Sequence, residues 1–277
     1  MEIYTLAVGQ GHMTVITHGD EAIIVDTHIP RPNEEQVVYF KGALAGVLRG
    51  RKLAGLVLTS FDADHADPRG VTWILGKYWP RWILYPKYFK DTGTASEVFG
   101  IIQDIERQRR GTNGSLERIS VRVDQLESRR MTGLSPGLSF ELFSPHINNM
   151  NCSNNCSIVA KVAPTNVHQG FSYLITGDTE NDRWEMINRL FSRRLRADVM
   201  AAPHHGSHNG INADTLDLVR PSVVLVSAGY GNRYGHPHDK ALALFDETGA
   251  DIYSTHEGAS WRTYWGRGAL RTEEWSG

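Results

Sequence analysis

Cysteine is almost absent. Cys152 and Cys156 are the only two among 277 residues, too few for a disulfide framework. A charge excess is absent too, with 29 Lys and Arg against 31 Asp and Glu and a net charge of −2. No global basic field is available to hold a polyanion, so any such ligand must be gripped locally. No apolar run approaches the roughly 18–20 residues of a membrane span, and Met1-Glu2-Ile3-Tyr4 lacks the basic and apolar regions of a signal peptide. These absences predict a cytoplasmic protein with no membrane span. No repeat, low-complexity tract or Pro/Gly/Ser linker divides the chain, which predicts a single domain over 1–277. Histidine, by contrast, is plentiful at twelve residues, and several stand beside carboxylates.

Short β-type runs recur at 3–8, 14–17, 22–26, 53–59, 81–85, 119–123, 139–143, 157–162, 171–176, 198–202, 223–227 and 251–254. Helical periodicity lies between several of them: at 96–110, with Thr94 and Glu97 as a capping box, at 181–196, and at 240–248, closed by Gly249. Strands interleaved with helices predict an α/β chain with a large buried sheet system, and residues 86–130 read as a mostly helical insertion.

The unusual polar residues fall just after strands, where side chains from distant parts of a layered fold converge. Asp62-Ala63-Asp64-His65 packs three potential ligands into four residues. Carboxylate with imidazole suits Zn²⁺, Mn²⁺ or Fe, and a tight loop can aim Asp62 at one ion and Asp64 with His65 at another. Alone, this cluster reads as a solvated acidic turn and Asp178 as a cap. Pro203-His204-His205-Gly206-Ser207 after a further strand favours a metal site. Cys152 and Cys156 read as buried reduced thiols. The basic runs 49–52, 107–110, 129–130 and 193–196 read as solvated faces, and Trp73, Trp79, Trp82, Trp261 and Trp265 as packing.

At these residues the chain resembles the metallo-β-lactamase fold, and within it the hydrolase-like domain of ComEC-type competence (DNA-uptake) proteins and their stand-alone relatives. Val8-Gly9-Gln10-Gly11 is similar to the group's VGQG opening, and Ile23-Ile24-Val25-Asp26-Thr27 carries its first-motif Asp. Asp62-Ala63-Asp64-His65 matches the DxDH of HxDxDH, and Asn154-Asn155-Cys156-Ser157 the NxxS segment. Thr176-Gly177-Asp178, residues 203–207 and Asn232-Arg233-Tyr234-Gly235-His236-Pro237 follow the TGD, PHHGS and NRYGHP motifs. Seven pieces in the family's order imply a four-layer αβ/βα sandwich, with Asp26, Asp62, Asp64, His65, Asp178 and His204 or His205 meeting at one edge.

The resemblance further implies one or two divalent ions, Zn or Mn. Asp178 would bridge them, Asp64 and His65 would belong to one metal with His204 or His205, and Asp62 to the other. Ser60 stands where the first His of HxDxDH belongs, and neutral hydroxyl is a weak donor. The third-motif region offers only His146, Cys152 and Asn154; His12 replaces an Asp after GQG, and His256 a late Asp. Three outcomes follow: one metal only, two with His146, His12 or Cys152 recruited, or no catalysis. The implied activity is hydrolysis of a phosphodiester, most simply nucleic acid, by a metal-activated hydroxide. Asp64 and His236 would be catalytic, and Ser207, Asn232, Arg233 and Tyr234 would bind substrate. The alternative is a weakened or inactive hydrolase fold kept as a binding or regulatory subunit beside a partner protein.

Overall fold

A computed structural model describes residues 1–31, 36–88, 91–112, 114–123, 127–146, 153–166 and 170–277. Fifteen strands among them form two sheets. The first runs β15 (Ala269–Trp275), β14 (Ser260–Gly266), β1 (Glu2–Thr5), β2 (Thr14–His18), β3 (Glu21–Val25), β4 (Lys52–Val57), β5 (Trp82–Pro86), β6 (Glu117–Val121). The second runs β13 (Asp251–Ser254), β12 (Val223–Val226), β11 (Val199–Ala201), β10 (Tyr173–Ile175), β9 (Val159–Pro164), β8 (Leu138–Ser144), β7 (Arg129–Met131).

Strand alternation builds the layers. Ile3, Ile16 and Ile23 point into the core between the sheets, with Phe140, Val162, Tyr173 and Val199 of the second sheet. Their neighbours Tyr4, Val15 and Ile24 point the other way, onto α1 (Gln36–Leu48), α2 (Pro68–Tyr78) and α3 (Gly93–Arg109) through Leu44, Ile74 and Val98. Trp184 and Ile187 of α4 (Asn181–Phe191), Leu216 of α5 (Ala213–Val219) and Phe245 of α6 (Asp239–Glu247) pack with the second sheet. Each such side chain, fully buried, contributes roughly 1.5–3 kcal/mol. The architecture is the expected four-layer sandwich. No helix of the described residues is long and apolar enough to cross a membrane.

The structure departs from sequence expectation in detail. The stretch 86–130 contributes α3 but also β6 and β7, edge strands of opposite sheets. The α3 cap is Thr92, whose side chain accepts from the Ala95 N–H at 3.2 Å, in place of a Thr94 and Glu97 box. Arg109 leaves the solvated basic run: it is buried, donates to the Pro80 and Leu75 carbonyls, and sits 4.5 Å over Trp79, which is itself half exposed. Cys156 is buried. Cys152 lies outside the described residues.

Parallel pairing positions the site. β3, β4 and β5 are parallel, as are β10, β11 and β12, so each set delivers its carboxyl ends to one edge. Helix α2 locks the first set: Asp67 caps it, Pro68 opens it, and Gly70 lies so near the loop after β3 that a Cβ there would sit 1.7 Å from the Thr27 oxygen.

Candidate metal centre

Asp26, the residue after β3, is fully buried with φ +61, a left-handed conformation that Asp tolerates better than most side chains. This turn aims its carboxylate at the loop after β4. Its Oδ1 accepts from the Thr59 N–H (2.7 Å), and its Oδ2 from Thr59 Oγ1 (2.7 Å) and His65 Nδ1 (2.8 Å). His12 Nδ1 approaches the same Oδ2 at 3.0 Å, off the hydrogen-bond axis. A carboxylate only accepts, so His65 keeps its proton on Nδ1 and presents the Nε2 lone pair forward, the arrangement that orients metal-binding imidazoles.

Forward of His65 stand residues from the second sheet. Gly177, at φ +51, packs against Ser157, whose Oγ accepts from the Asp178 N–H at 3.1 Å. After β11, His204, His205 and Gly206 take three consecutive left-handed conformations, a twist that sends the two imidazoles in different directions. His205 turns inward and donates from Nδ1 to the Ser227 carbonyl (2.7 Å), leaving Nε2 3.6 Å from Asp64 Oδ2 and 3.7 Å from Asp178 Oδ1. His204 lines the outer cleft, its Nδ1 3.4 Å from Glu180 Oε1.

One ligand atom each from Asp64, His65, Asp178 and His205 therefore lies within 4.8 Å of all the others. His65 Nε2 is 2.8 Å from Asp178 Oδ1 without the alignment of a hydrogen bond, and His65 Nε2, His205 Nε2 and Asp178 Oδ1 are all buried with no hydrogen-bond partner among the described residues. Such orphaned polar atoms are costly unless something else binds them. Two imidazole nitrogens and two carboxylate oxygens fit Zn²⁺ or Mn²⁺.

The carboxylates and imidazoles perturb one another. Burial works to raise Asp26, Asp64 and Asp178, yet the facing imidazoles hold all three carboxyls below their ordinary range. Burial works to lower His65 and His205, yet the carboxylates around them raise both. His236 has burial and three nearby imidazoles acting together, and its pKa falls to about 4.

The remaining candidates are placed otherwise. Ser60 is buried and its Oγ accepts from the Asp62 N–H at 3.2 Å, capping the turn. Asp62 lines the cleft. His12 sits behind His65, ring centroids 6.1 Å apart, and forms with Asp26 and His65 a second group whose ligand atoms lie within 4.8 Å of one another. His146 stacks on Phe191 and lies outside the ligand cluster. The Ser207 hydroxyl accepts from the Asn209 N–H, and Asn232 folds its own loop. Asn154, Arg233, Tyr234 and His236 line a cleft of about 680 Å³ with Asp62, Asp64 and Asp178, and His256 contacts Ser254 and Glu257. Sequence reasoning missed Thr59, Ser227 and Glu180; of these only Glu180, two residues past Asp178, left a signal.

Two mixed sheets with outer helices, and an Asp/His cluster across their parallel strand ends, define a metallo-β-lactamase fold. No family model matches the chain. It is similar to ComE operon protein 3 of Bacillus subtilis, 26% identical over 211 residues, which are 75% of this chain and 24% of that protein. It is likewise 26% identical over 137 residues to competence protein ComA of Neisseria gonorrhoeae, 50% of this chain and 19% of the other. The chain thus spans a quarter or less of these relatives' length. Among solved structures, Igni18, a metallo hydrolase of Ignicoccus hospitalis, superposes with a TM-score of 0.55 at 15% identity, covering 99% of each chain. The chain is a metallo-β-lactamase-fold protein related to the ComEC-type competence proteins.

Proposed function

We propose that this chain is a metal-dependent hydrolase of phosphodiesters, with nucleic acid as its natural substrate class. The observation that carries the reading is the buried four-residue cluster with its orphaned ligand atoms. Of the two candidate groups among the described residues, the four-residue one of Asp64, His65, Asp178 and His205 is the fuller, and it shares His65 with the group of His12 and Asp26, which favours one ion over two. When bound, that ion supplies Lewis acidity and brings the pKa of a water towards about 7. The chain's own groups do the rest. Asp26 holds the His65 tautomer.

His204 is the group best placed to protonate a leaving oxygen: it faces the cleft, with the Glu180 carboxylate 3.4 Å behind it. Asn154 donates to that carboxylate at 2.9 Å, and Asn155 Oδ1 accepts from the Glu180 N–H. His236, with its pKa at about 4, is neutral near pH 7 and so is a poor proton donor there. Arg31 and Arg233 line the same cleft and suit an anionic substrate. The relative named as a competence protein directs the choice among phosphodiesters to DNA.

The test is elemental analysis of the purified protein, with turnover of an aryl phosphodiester, single- and double-stranded DNA and RNA in Mn²⁺ and in Zn²⁺. We expect one metal equivalent per chain and a diesterase activity that Asp178→Ala abolishes together with the metal. A wild type that takes up no metal and matches Asp178→Ala on every substrate would instead make the chain a binding or regulatory module.

A further inference from the structure

The loop after β12 holds an arginine whose surroundings the reaction chemistry does not explain. Arg233 is exposed at the rim of the cleft. Its guanidinium carbon lies 4.7 Å from the Tyr234 ring centroid, and one Nη donates to the Tyr234 hydroxyl. Tyr234 is stacked on His236 (5.7 Å, 22°), and His236 on the ligand His205 (6.2 Å, 21°). A row of three rings, His205, His236 and Tyr234, thus leads from the buried cluster outward, with the Arg233 guanidinium over the last.

The backbone beneath the row is tied down. Asn232 Oδ1 accepts from the N–H groups of Tyr234 (3.1 Å) and His236 (3.0 Å), and its Nδ2 donates to the carbonyls of Gly229 (2.9 Å) and His236. Gly229 in turn donates to Gln10 Oε1 at 3.1 Å, so close to the Gln10 backbone that a Cβ there would meet its nitrogen at 2.5 Å.

Arg233 makes no ion pair with any described carboxylate, although three acidic side chains line the same cleft. A guanidinium has five N–H donors in a planar fork suited to phosphate oxygens. One donor is engaged here. Its position over the Tyr234 ring and its bond to the Tyr234 hydroxyl restrict the guanidinium in advance, which lowers the entropy lost on binding an anion.

We infer that Arg233 seats a second phosphate of the substrate, one flanking the scissile diester, so that the cleft selects a strand of linked phosphates over an isolated diester. This rests on the phosphodiester reading above. Two rings, His236 and Tyr234, stand between Arg233 and the ligand His205, so the guanidinium and the buried cluster address different phosphates. Tyr234 already carries Arg233 and His236, and acts as a pedestal for the cation.

The experiment compares wild type, Arg233→Gln, Arg233→Lys and Tyr234→Leu, all Mn²⁺-loaded. The substrates are a single-stranded DNA 12-mer and a bis-aryl phosphate that carries one phosphate only. For Arg233→Gln the ratio of kcat/KM on the 12-mer to that on the aryl ester should fall at least tenfold, mainly through KM. The salt slope of 12-mer binding, read by anisotropy, should fall by about 0.7. Arg233→Lys should recover part of the ratio but not all, and Tyr234→Leu should lose part of it. An Arg233→Gln variant with the wild-type ratio and slope overturns the inference. A wild type that cleaves the aryl ester but does not bind the 12-mer overturns it too, while leaving the hydrolase standing. A wild type that cleaves neither overturns the phosphodiester reading and this inference with it.

Discussion

Asp26 shows how a side chain outside the proposed four-residue ligand set governs one within it. Its carboxylate fixes the proton of His65, and its φ of +61 is a conformation Asn also adopts readily. Asp26→Asn therefore removes the charge with little change in backbone preference. It should weaken metal binding about 10–100-fold, measured by competition with a chelating dye, while circular dichroism stays unchanged. Ser60 illustrates the converse. The sequence marks it as a missing ligand, and in the fold it caps the Asp62 N–H. Ser60→Ala should leave the metal content at the wild-type value and cost about 1 kcal/mol of stability, seen as a drop of about 2–4 °C in Tm.

His146 is buried, with neither ring nitrogen hydrogen-bonded to a described residue, and burial followed by the nearby Arg183 charge lowers its pKa to about 4. The unfolded chain, with an imidazole near 6.5, binds more protons between those values, so stability falls as pH drops from about 6.5 towards 4. His146→Phe, which can keep the stack on Phe191, should flatten that part of the pH–stability curve in urea denaturation.

At the scale of elements, the legible parts were those that obey a simple period. The buried runs of β3, β4 and β10 to β12 alternate or are wholly apolar, and the polar residues just past them announce a site. The C-terminal hairpin β14–β15 escaped because its strands mix charge and aromatics at the sheet edge: Arg262 pairs with Glu273, and Thr263 with Thr272. Helix α1 escaped because Gln36–Leu48 is apolar on more than one face and lacks the amphipathic stripe that marks a surface helix. The choice between His204 and His205 could not be read from a dipeptide, since left-handed backbone at both residues decides which imidazole turns inward.

Helix α2 offers a test at this scale. Alanine normally stabilises a helix interior by about 1 kcal/mol over glycine, but at Gly70 a Cβ would meet the Thr27 carbonyl. Gly70→Ala should therefore destabilise the protein by roughly 3 kcal/mol or more, measured by chemical denaturation. It should also weaken metal binding by shifting the Asp26 loop.

For the molecule as a whole, the partition of the ligands matters most. Asp64 and His65 follow a strand of one sheet, Asp178 and His205 strands of the other. An ion held by all four joins the two sheets at an edge where a main-chain hydrogen bond, from the Ile158 N–H to the Thr59 carbonyl at 2.9 Å, also crosses between them. Metal at a hundred times its Kd should stabilise the fold by about 2.7 kcal/mol, visible as a rise in Tm that a chelator reverses and Asp178→Ala does not show.

The same partition reaches the backbone's exchange with solvent. Amides of β3 and β4 on one side and of β10 and β11 on the other need not open together in the metal-free chain, since each group belongs to its own ladder. Once a single ion grips both, local opening of either group must release it, and deuterium uptake in the two sheets should slow by the same factor.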